Sequence, residues 1–266
     1  MSSQVKLGIF DSGIGGLSVA NFLIAKHPSV EIWYLADSLF LPYGTKAEPL
    51  VRERVSRMMN FFQSGDFTHI ICACNTAYAL AGDIIDSYKD LEVSNVTQAL
   101  IHTLPTHINL SQSLLIATPN TIKSGLYQKY LGRIHGQDNI HISANSSLVE
   151  LIEAKGDNRE SVYEEILEIS RNCRFRPEAI ILGCTHYNWV EEEFQKVFPG
   201  AAIYGSSAAF SFSQFETTAP LKHRPLRFFD TGESRQLREL VSARYGLSVE
   251  HLTLEDTSFI EEVHQS

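Results

Sequence analysis

Short apolar runs alternate with longer amphipathic stretches along nearly the whole chain, and this alternation limits the fold more than any other feature. LGIF (7–10), EIWYLAD (31–37), THIICAC (68–74), LLIAT (114–118), NIHISA (139–144), AIILGC (179–184) and LRFFD (226–230) read as strands. Stretches of helical length lie between most of them, at 17–27, 47–64, 75–88, 147–172 and 233–245. Such alternation implies parallel sheets flanked by helices. Ligands of these sheets bind beyond the carboxyl ends of the strands, so the residues just after each strand say most about function. There is also an internal echo. HIICACNTAY (69–78) and AIILGCTHYN (179–188) both run from apolar strand to Cys, Thr and a helix, which predicts two similar α/β halves facing each other.

A chain of 266 residues can bury one large core or two small ones. The formal charge of −9 argues against nucleic acid as the main partner, because phosphate binding needs a basic face. No apolar run approaches the roughly 20 residues that span a bilayer. The opening MSSQVKLGIF lacks a signal-peptide layout, so the cytoplasm is the expected location. Cys72, Cys74, Cys173 and Cys184 are too few and too unevenly spaced for a disulfide framework. In a reducing compartment they become candidates for chemistry instead.

Three motifs stand directly after strands. Asp11-Ser12-Gly13-Ile14-Gly15-Gly16 brings backbone N–H groups within reach of an anion and sets a carboxylate at a strand end. A capped turn or a dinucleotide loop would also fit, although the spacing is GxGG and not GxGxxG. Cys74-Asn75-Thr76 puts a thiol at a helix start, where the helix dipole is expected to lower its pKa toward a thiolate. Cys184-Thr185-His186 repeats the arrangement with an imidazole two residues on. Cys72, inside its strand, and Cys173, in a polar stretch, read as structural. Cys72, Cys74, Cys184 and His186 could be imagined as zinc ligands, but CxC and CxH are tighter than usual zinc spacings. Trp33 and Trp189 read as packing, and Glu191-Glu192-Glu193 as the solvated start of a helix. Two cysteines in equivalent settings fit a reaction with two sides: one removes a Cα proton from one face, and the other returns a proton to the opposite face.

Taken together, FDSGIGGLSV (10–19), LADSLFLPYG (35–44), ACNTA (73–77), ATPNTIKSGLY (117–127), LGCTHY (182–187) and FFDTGE (228–233) resemble the aspartate/glutamate racemase family. The order DSGxGG, PYG, CNTA, GCTHY is highly specific, and the match runs nearly end to end. The resemblance implies a cofactor-independent racemase, without metal, of two facing α/β domains: 1–97 plus 208–266, and 98–207. It implies Cys74 and Cys184 on opposite faces of the substrate, assisted by Asp11 and His186. By the same resemblance, Ser12, Asn75, Thr76 and Thr185 hold the amino acid's polar groups. Pro42, Tyr43 and Gly44 line its side-chain end, Thr118 and Thr121 close the pocket, and Glu153 falls where the family carries a further site carboxylate. Glutamate is the expected substrate, ahead of aspartate or another amino acid. A homodimer supplying D-glutamate for peptidoglycan is the expected context. The chain departs from the family pattern at Asn145-Ser146 (often Cys-Pro), Asn188 (usually Pro), Gly205-Ser206 (an Asp-Ser pair) and VTQALIH (96–102). Other readings are a thiol redox protein, which would form a Cys74–Cys184 disulfide without any CxxC motif, and a binding protein that has lost turnover.

Overall fold

A computed structural model describes residues 6–27, 30–136, 139–154, 158–207, 209–210 and 226–254. The strands are β1 (Lys6–Asp11), β2 (Glu31–Ala36), β3 (His69–Cys72), β4 (Glu92–Asn95), β5 (Ser113–Ala117), β6 (His141–Ala144), β7 (Ala179–Leu182), β8 (Ala202–Tyr204), β9 (Leu226–Asp230) and β10 (Val249–His251). They form two parallel sheets, ordered β10-β9-β2-β1-β3-β4 and β6-β5-β7-β8. The α-helices are α1 (Leu17–Lys26), α2 (Glu48–Gln63), α3 (Asn75–Ile85), α4 (Val96–Thr103), α5 (Pro119–Lys123), α6 (Leu126–His135), α7 (Ser147–Glu153), α8 (Arg159–Asn172), α9 (Glu191–Val197) and α10 (Arg235–Tyr245). The protein thus has the two facing parallel-sheet α/β domains expected of the alternation.

The six-stranded sheet draws on residues 6–95 and 226–251, and the four-stranded sheet on 113–204. Parts of the expected domain ranges lie outside the described residues: 1–5, 28–29, 208, 211–225 and 255–266 of the first, 137–138 and 155–157 of the second. His223 and His264 lie outside the described residues too. The stretch 147–172 is two helices, because Ala154 at the end of α7 is extended (φ −72°, ψ 149°). Sequence periodicity did not flag β4, β8 and β10, which have only three or four residues each.

Strand alternation sets up the core. Leu7 and Ile9 of β1 pack in one cluster, which joins α1 and α10 to Ile116, Val149, Ile166 and Phe194 of the second half. Phe10 packs on the opposite face with Met58, Phe62, Cys72 and Cys74. Helix α4 leaves the end of β4 and buries Leu100 and Ile101 against Leu115, Tyr127, Leu131 and Ile181, so it crosses from one sheet to the other. Each such fully buried side chain contributes about 1.5–3 kcal/mol.

Candidate active site

The carboxyl ends of the strands carry the site. Asp11 ends β1 and is fully buried. Its Oδ1 accepts from Gly13 N (2.8 Å) and from Ser12 Oγ (3.5 Å), and its Oδ2 accepts from Thr185 Oγ1 (2.9 Å) of the other half. Cys74 is the N-cap of α3, its sulfur accepting from Ala77 N (3.5 Å), while the thiol donates to Ser12 Oγ at 3.8 Å. A chain of polar contacts therefore runs from Cys74 through Ser12 to Asp11 and on to Thr185, the residue after Cys184. Cys184 precedes a 3-10 helix (Thr185–Val190), not an α-helix, so the two cysteine segments match in strand and cysteine but not in the helix type after them.

His186 stands at 3.8 Å (Nδ1) from Cys184 Sγ and at 2.6 Å (Nε2) from Glu153 Oε1. The same Glu153 oxygen accepts from Ile14 N at 2.7 Å. The glycine loop does offer an N–H to an anion, and that anion is the protein's own carboxylate from α7. A Cβ on Gly15 would lie 2.5 Å from His186 Nδ1 and 2.6 Å from Thr185 Oγ1, so a bare backbone is needed for the second half to come this close.

Charge is distributed unequally around the two sulfurs. Burial opposes a charged His186, but its contacts with Cys184 and Glu153 outweigh burial and hold its pKa well above the usual imidazole value. The Cys184 and Glu153 contacts thus favour the protonated form of the imidazole that stands beside Cys184. Burial raises the Cys74 thiol, and the Asp11 carboxylate raises it further, against the smaller opposing effects of the Ala77 N–H and Ser12. The expected lowering of Cys74 by the helix start is thus overturned: desolvation in a nearly closed site outweighs the N-terminal dipole. Burial also raises Asp11, offset in part by His186 and by the Gly13 and Thr185 hydrogen bonds.

Hydroxyl groups join the halves on the other side of the cysteines. Thr76 Oγ1 lies 2.8 Å from Thr118 Oγ1 and 3.1 Å from Thr121 Oγ1, and Thr118 and Thr121 are 2.9 Å apart. Thr118 caps α5, and Gly44 packs against its side chain. Asn120 Nδ2 donates to Tyr43 O and Lys46 O (2.9 and 2.8 Å), pinning the loop of Pro42, Tyr43 and Gly44 to the second half. Asn75 is buried beside Cys74. Asp11 with Thr185, Thr76 with Thr118 and Thr121, and Ile14 with Glu153 thus meet across the seam between the sheets, with Ser12, Cys74, Cys184 and His186 in contact with them.

Sequence reasoning missed the support under that loop. Asp37, directly after β2 and fully buried, accepts from Arg54 Nε (3.0 Å) and Nη2 (2.7 Å), Thr231 Oγ1 (2.6 Å) and the Tyr43 hydroxyl. Its position after a strand was the available signal, but its partners are far away in the chain. Trp33 and Trp189 do pack, and Trp189 Nε1 also donates to Ile14 O (3.2 Å) across the seam. Glu193 is buried, unlike the solvated helix start expected, with Arg159 at 3.8 Å and Lys196 at 3.9 Å. Among the described residues no group of three or more His, Cys, Asp and Glu side chains is placed to hold a metal, and the Cys72 thiol donates to Cys74 O instead. All four cysteines are free thiols. No helix of the described residues is long and apolar enough to cross a membrane.

The departures from the family pattern have structural counterparts. Asn145 Oδ1 accepts from Leu148 N (2.9 Å) at the start of α7, the helix that carries Glu153, and its Nδ2 donates to Glu165 (2.6 Å). Ser146 precedes α7 without a side-chain cap bond. Asn188 Nδ2 donates to Ser18 Oγ (3.1 Å) on α1 and Ser206 Oγ (3.2 Å), while its Oδ1 accepts from Ser206 N (3.2 Å). A Cβ on Gly205 would stand 2.3 Å from that Oδ1.

Residues 18–211 match the Asp/Glu/Hydantoin racemase family. A glutamate racemase of Helicobacter acinonychis is 33% identical over 202 residues, covering 73% of this chain and 76% of that protein. The fold matches a crystal structure of a glutamate racemase of Bacillus anthracis with a TM-score of 0.82 at 24% identity, over 95% of this chain and 97% of that one. It also matches the glutamate racemase of Francisella tularensis, crystallised with D-glutamate, with a TM-score of 0.79 at 26% identity, over 95% and 98% of the two chains. The chain belongs to the Asp/Glu/hydantoin racemase family and is an amino-acid racemase.

Proposed function

We propose that this enzyme interconverts L- and D-glutamate without a cofactor, using Cys74 and Cys184 as the two proton carriers. The observation that carries this reading is the pair of buried sulfurs, one from each half, set beyond the ends of β3 and β7, with Asp11 linked to Cys74 through Ser12 and the His186 imidazole 3.8 Å from Cys184. In one direction Cys184, starting as the thiolate beside His186, takes the Cα proton. The electron pair left on carbon delocalises into the substrate carboxylate, and the Cys74 thiol gives its proton to the opposite face. Cys184 ends protonated and Cys74 ends as thiolate, so the roles are reversed for the other enantiomer. The Cα proton is very weakly acidic, so the developing charge needs preorganised donors in a site closed to water. Ser12, Asn75, Thr76 and Thr185 supply them. The loop of Pro42, Tyr43 and Gly44 lines the side-chain end, and Thr118 with Thr121 closes the pocket.

The names of the relatives favour glutamate over aspartate. Proton NMR in D₂O tests this: the Cα–H signal of L-glutamate is expected to disappear as optical rotation decays to zero. Exchange with L-aspartate alone would keep the mechanism and change the substrate. Exchange with neither, from folded and reduced protein, would sink the reading. The domain division 1–97 plus 208–266 against 98–207, a homodimer, a cytoplasmic location and supply of D-glutamate to peptidoglycan belong to the same proposal. Rescue of a D-glutamate-requiring bacterium and a scattering mass of two chains are their tests.

Glu153 acts through His186 in this reading. Glu153→Gln removes the negative charge that helps keep the imidazole protonated, so the alkaline limb of the kcat/KM profile is expected to move to lower pH. Superimposable profiles would remove Glu153 from that role. Because the folded-state pKa of His186 is raised, its contribution to stability is complete below about pH 6.5 and is lost as pH rises through the raised value.

A further inference from the structure

The Asn75 side chain is 2% exposed and only half satisfied. Its Oδ1 accepts from Thr97 Oγ1 (2.9 Å) and from the Tyr127 hydroxyl (2.7 Å). Its Nδ2 has no hydrogen-bond partner among the described residues. A buried amide N–H₂ left without an acceptor costs about 1–3 kcal/mol. In this structure both hydroxyls donate to the oxygen, and the N–H₂ lies toward the side where no acceptor stands among the described residues. Were the amide reversed, its oxygen would occupy that side and would repel an anion.

The two hydroxyls reach Asn75 from different parts of the molecule. Thr97 lies at the start of α4, the helix that crosses between the sheets. Tyr127 lies on α6, between β5 and β6 of the four-stranded sheet, and is fully buried. Burial raises its phenol pKa, so it remains a neutral O–H donor. The position of α6 is itself fixed by Gln98 of α4, whose Nε2 donates to Tyr130 OH on α6 (2.6 Å) and to Tyr78 OH on α3 (2.9 Å).

We propose that Tyr127 is a positioning residue for the reaction: its hydroxyl, delivered by the second half, orients the Asn75 amide so that Nδ2 is free to donate to a carboxylate oxygen of the substrate. This rests on the reading of Asn75 as a substrate-binding residue. It makes the anchor conditional on closure, because separating the sheets withdraws the phenol and leaves the amide free to turn. Neither Thr97 nor Tyr127 touches the substrate in this scheme.

The test is steady-state racemisation of L- and D-glutamate by Tyr127→Phe, with Thr97→Val and Thr97→Ser alongside. Loss of one orienting hydrogen bond is expected to raise KM about tenfold and change kcat less than about threefold. Thr97→Val is expected to act in the same sense, and Thr97→Ser, which keeps the hydroxyl, to restore wild-type KM. A purely structural role would lower the active fraction, and so kcat, at constant KM. In an Asn75→Ala background, Tyr127→Phe is expected to add nothing. Wild-type enzyme in the same assay separates the two readings: no turnover of glutamate would overturn the proposed function. Turnover with KM within twofold of wild type in Tyr127→Phe would overturn the role of Tyr127 alone. Should Tyr127→Phe fail to fold, Thr97→Val decides the matter on the same amide oxygen.

Discussion

Cys74→Ser and Cys184→Ser are each expected to lower racemisation by roughly 10²–10⁴-fold, the range for losing a positioned acid or base. Serine keeps the shape and hydrogen bonding of the thiol but is far harder to ionise. Each variant retains one working sulfur on one face of the substrate. That sulfur can still remove a Cα proton, exchange it with solvent and return it to the same face. In D₂O, Cys184→Ser is therefore expected to deuterate one enantiomer with retention of configuration, and Cys74→Ser the other. Two variants that exchange the same enantiomer would show that the sulfurs do not oppose each other. Normal racemisation by either would remove that cysteine from the chemistry.

Arg54→Ala is expected to cost about 3–5 kcal/mol, the effect of leaving one member of a buried ion pair alone. Asp37 and Arg54 have side-chain exposures of 0% and 4%, and the guanidinium holds the carboxylate with two nitrogens. Removing it leaves the carboxylate, among the described residues, with the Thr231 and Tyr43 hydroxyls. Tyr43 is then expected to lose its fixed place, and with it the loop of Pro42 and Gly44, so KM should rise in whatever enzyme still folds. Arg54→Lys keeps the charge without the planar fork and is expected to recover only part of the loss. Urea unfolding followed by near-UV circular dichroism reads the change. A loss below about 1 kcal/mol would mean that the pair is solvated and does not hold the loop.

Both sulfurs were legible because each ends an apolar run that passes into polar residues, a local pattern that survives folding. The two sheets were legible for the same reason, since most strands are long enough to display their apolar character. The surroundings of the sulfurs were not. Cys74 sits at a helix start, and that local fact pointed to a lowered pKa. The carboxylate and the burial that reverse it come from Asp11, in a different strand, and from the opposing half. The glycine loop suggested an anion cradle, but nothing nearby in sequence revealed that Glu153 would fill it. Arg54 beneath Asp37 and Tyr127 behind Asn75 are ordinary helix residues until the chain brings them together. Local periodicity reads elements and their ends, while partnerships between elements are decided by tertiary packing.

The contact between Asn188 and Gly205 ties the two positions together. A side chain introduced at 205 while the amide remains would begin 2.3 Å from its oxygen. Exchanging Asn188 for proline first removes that obstacle, with loss of its hydrogen bonds to Ser18 and Ser206. The two positions are therefore coupled: a side chain at 205 requires the Asn188 amide to turn away from its contacts with Ser18 and Ser206, and a background already altered at 188 is spared that loss. Chimeras that place a side chain at 205 and keep Asn188 are expected to displace that amide and lose its hydrogen bonds across the seam.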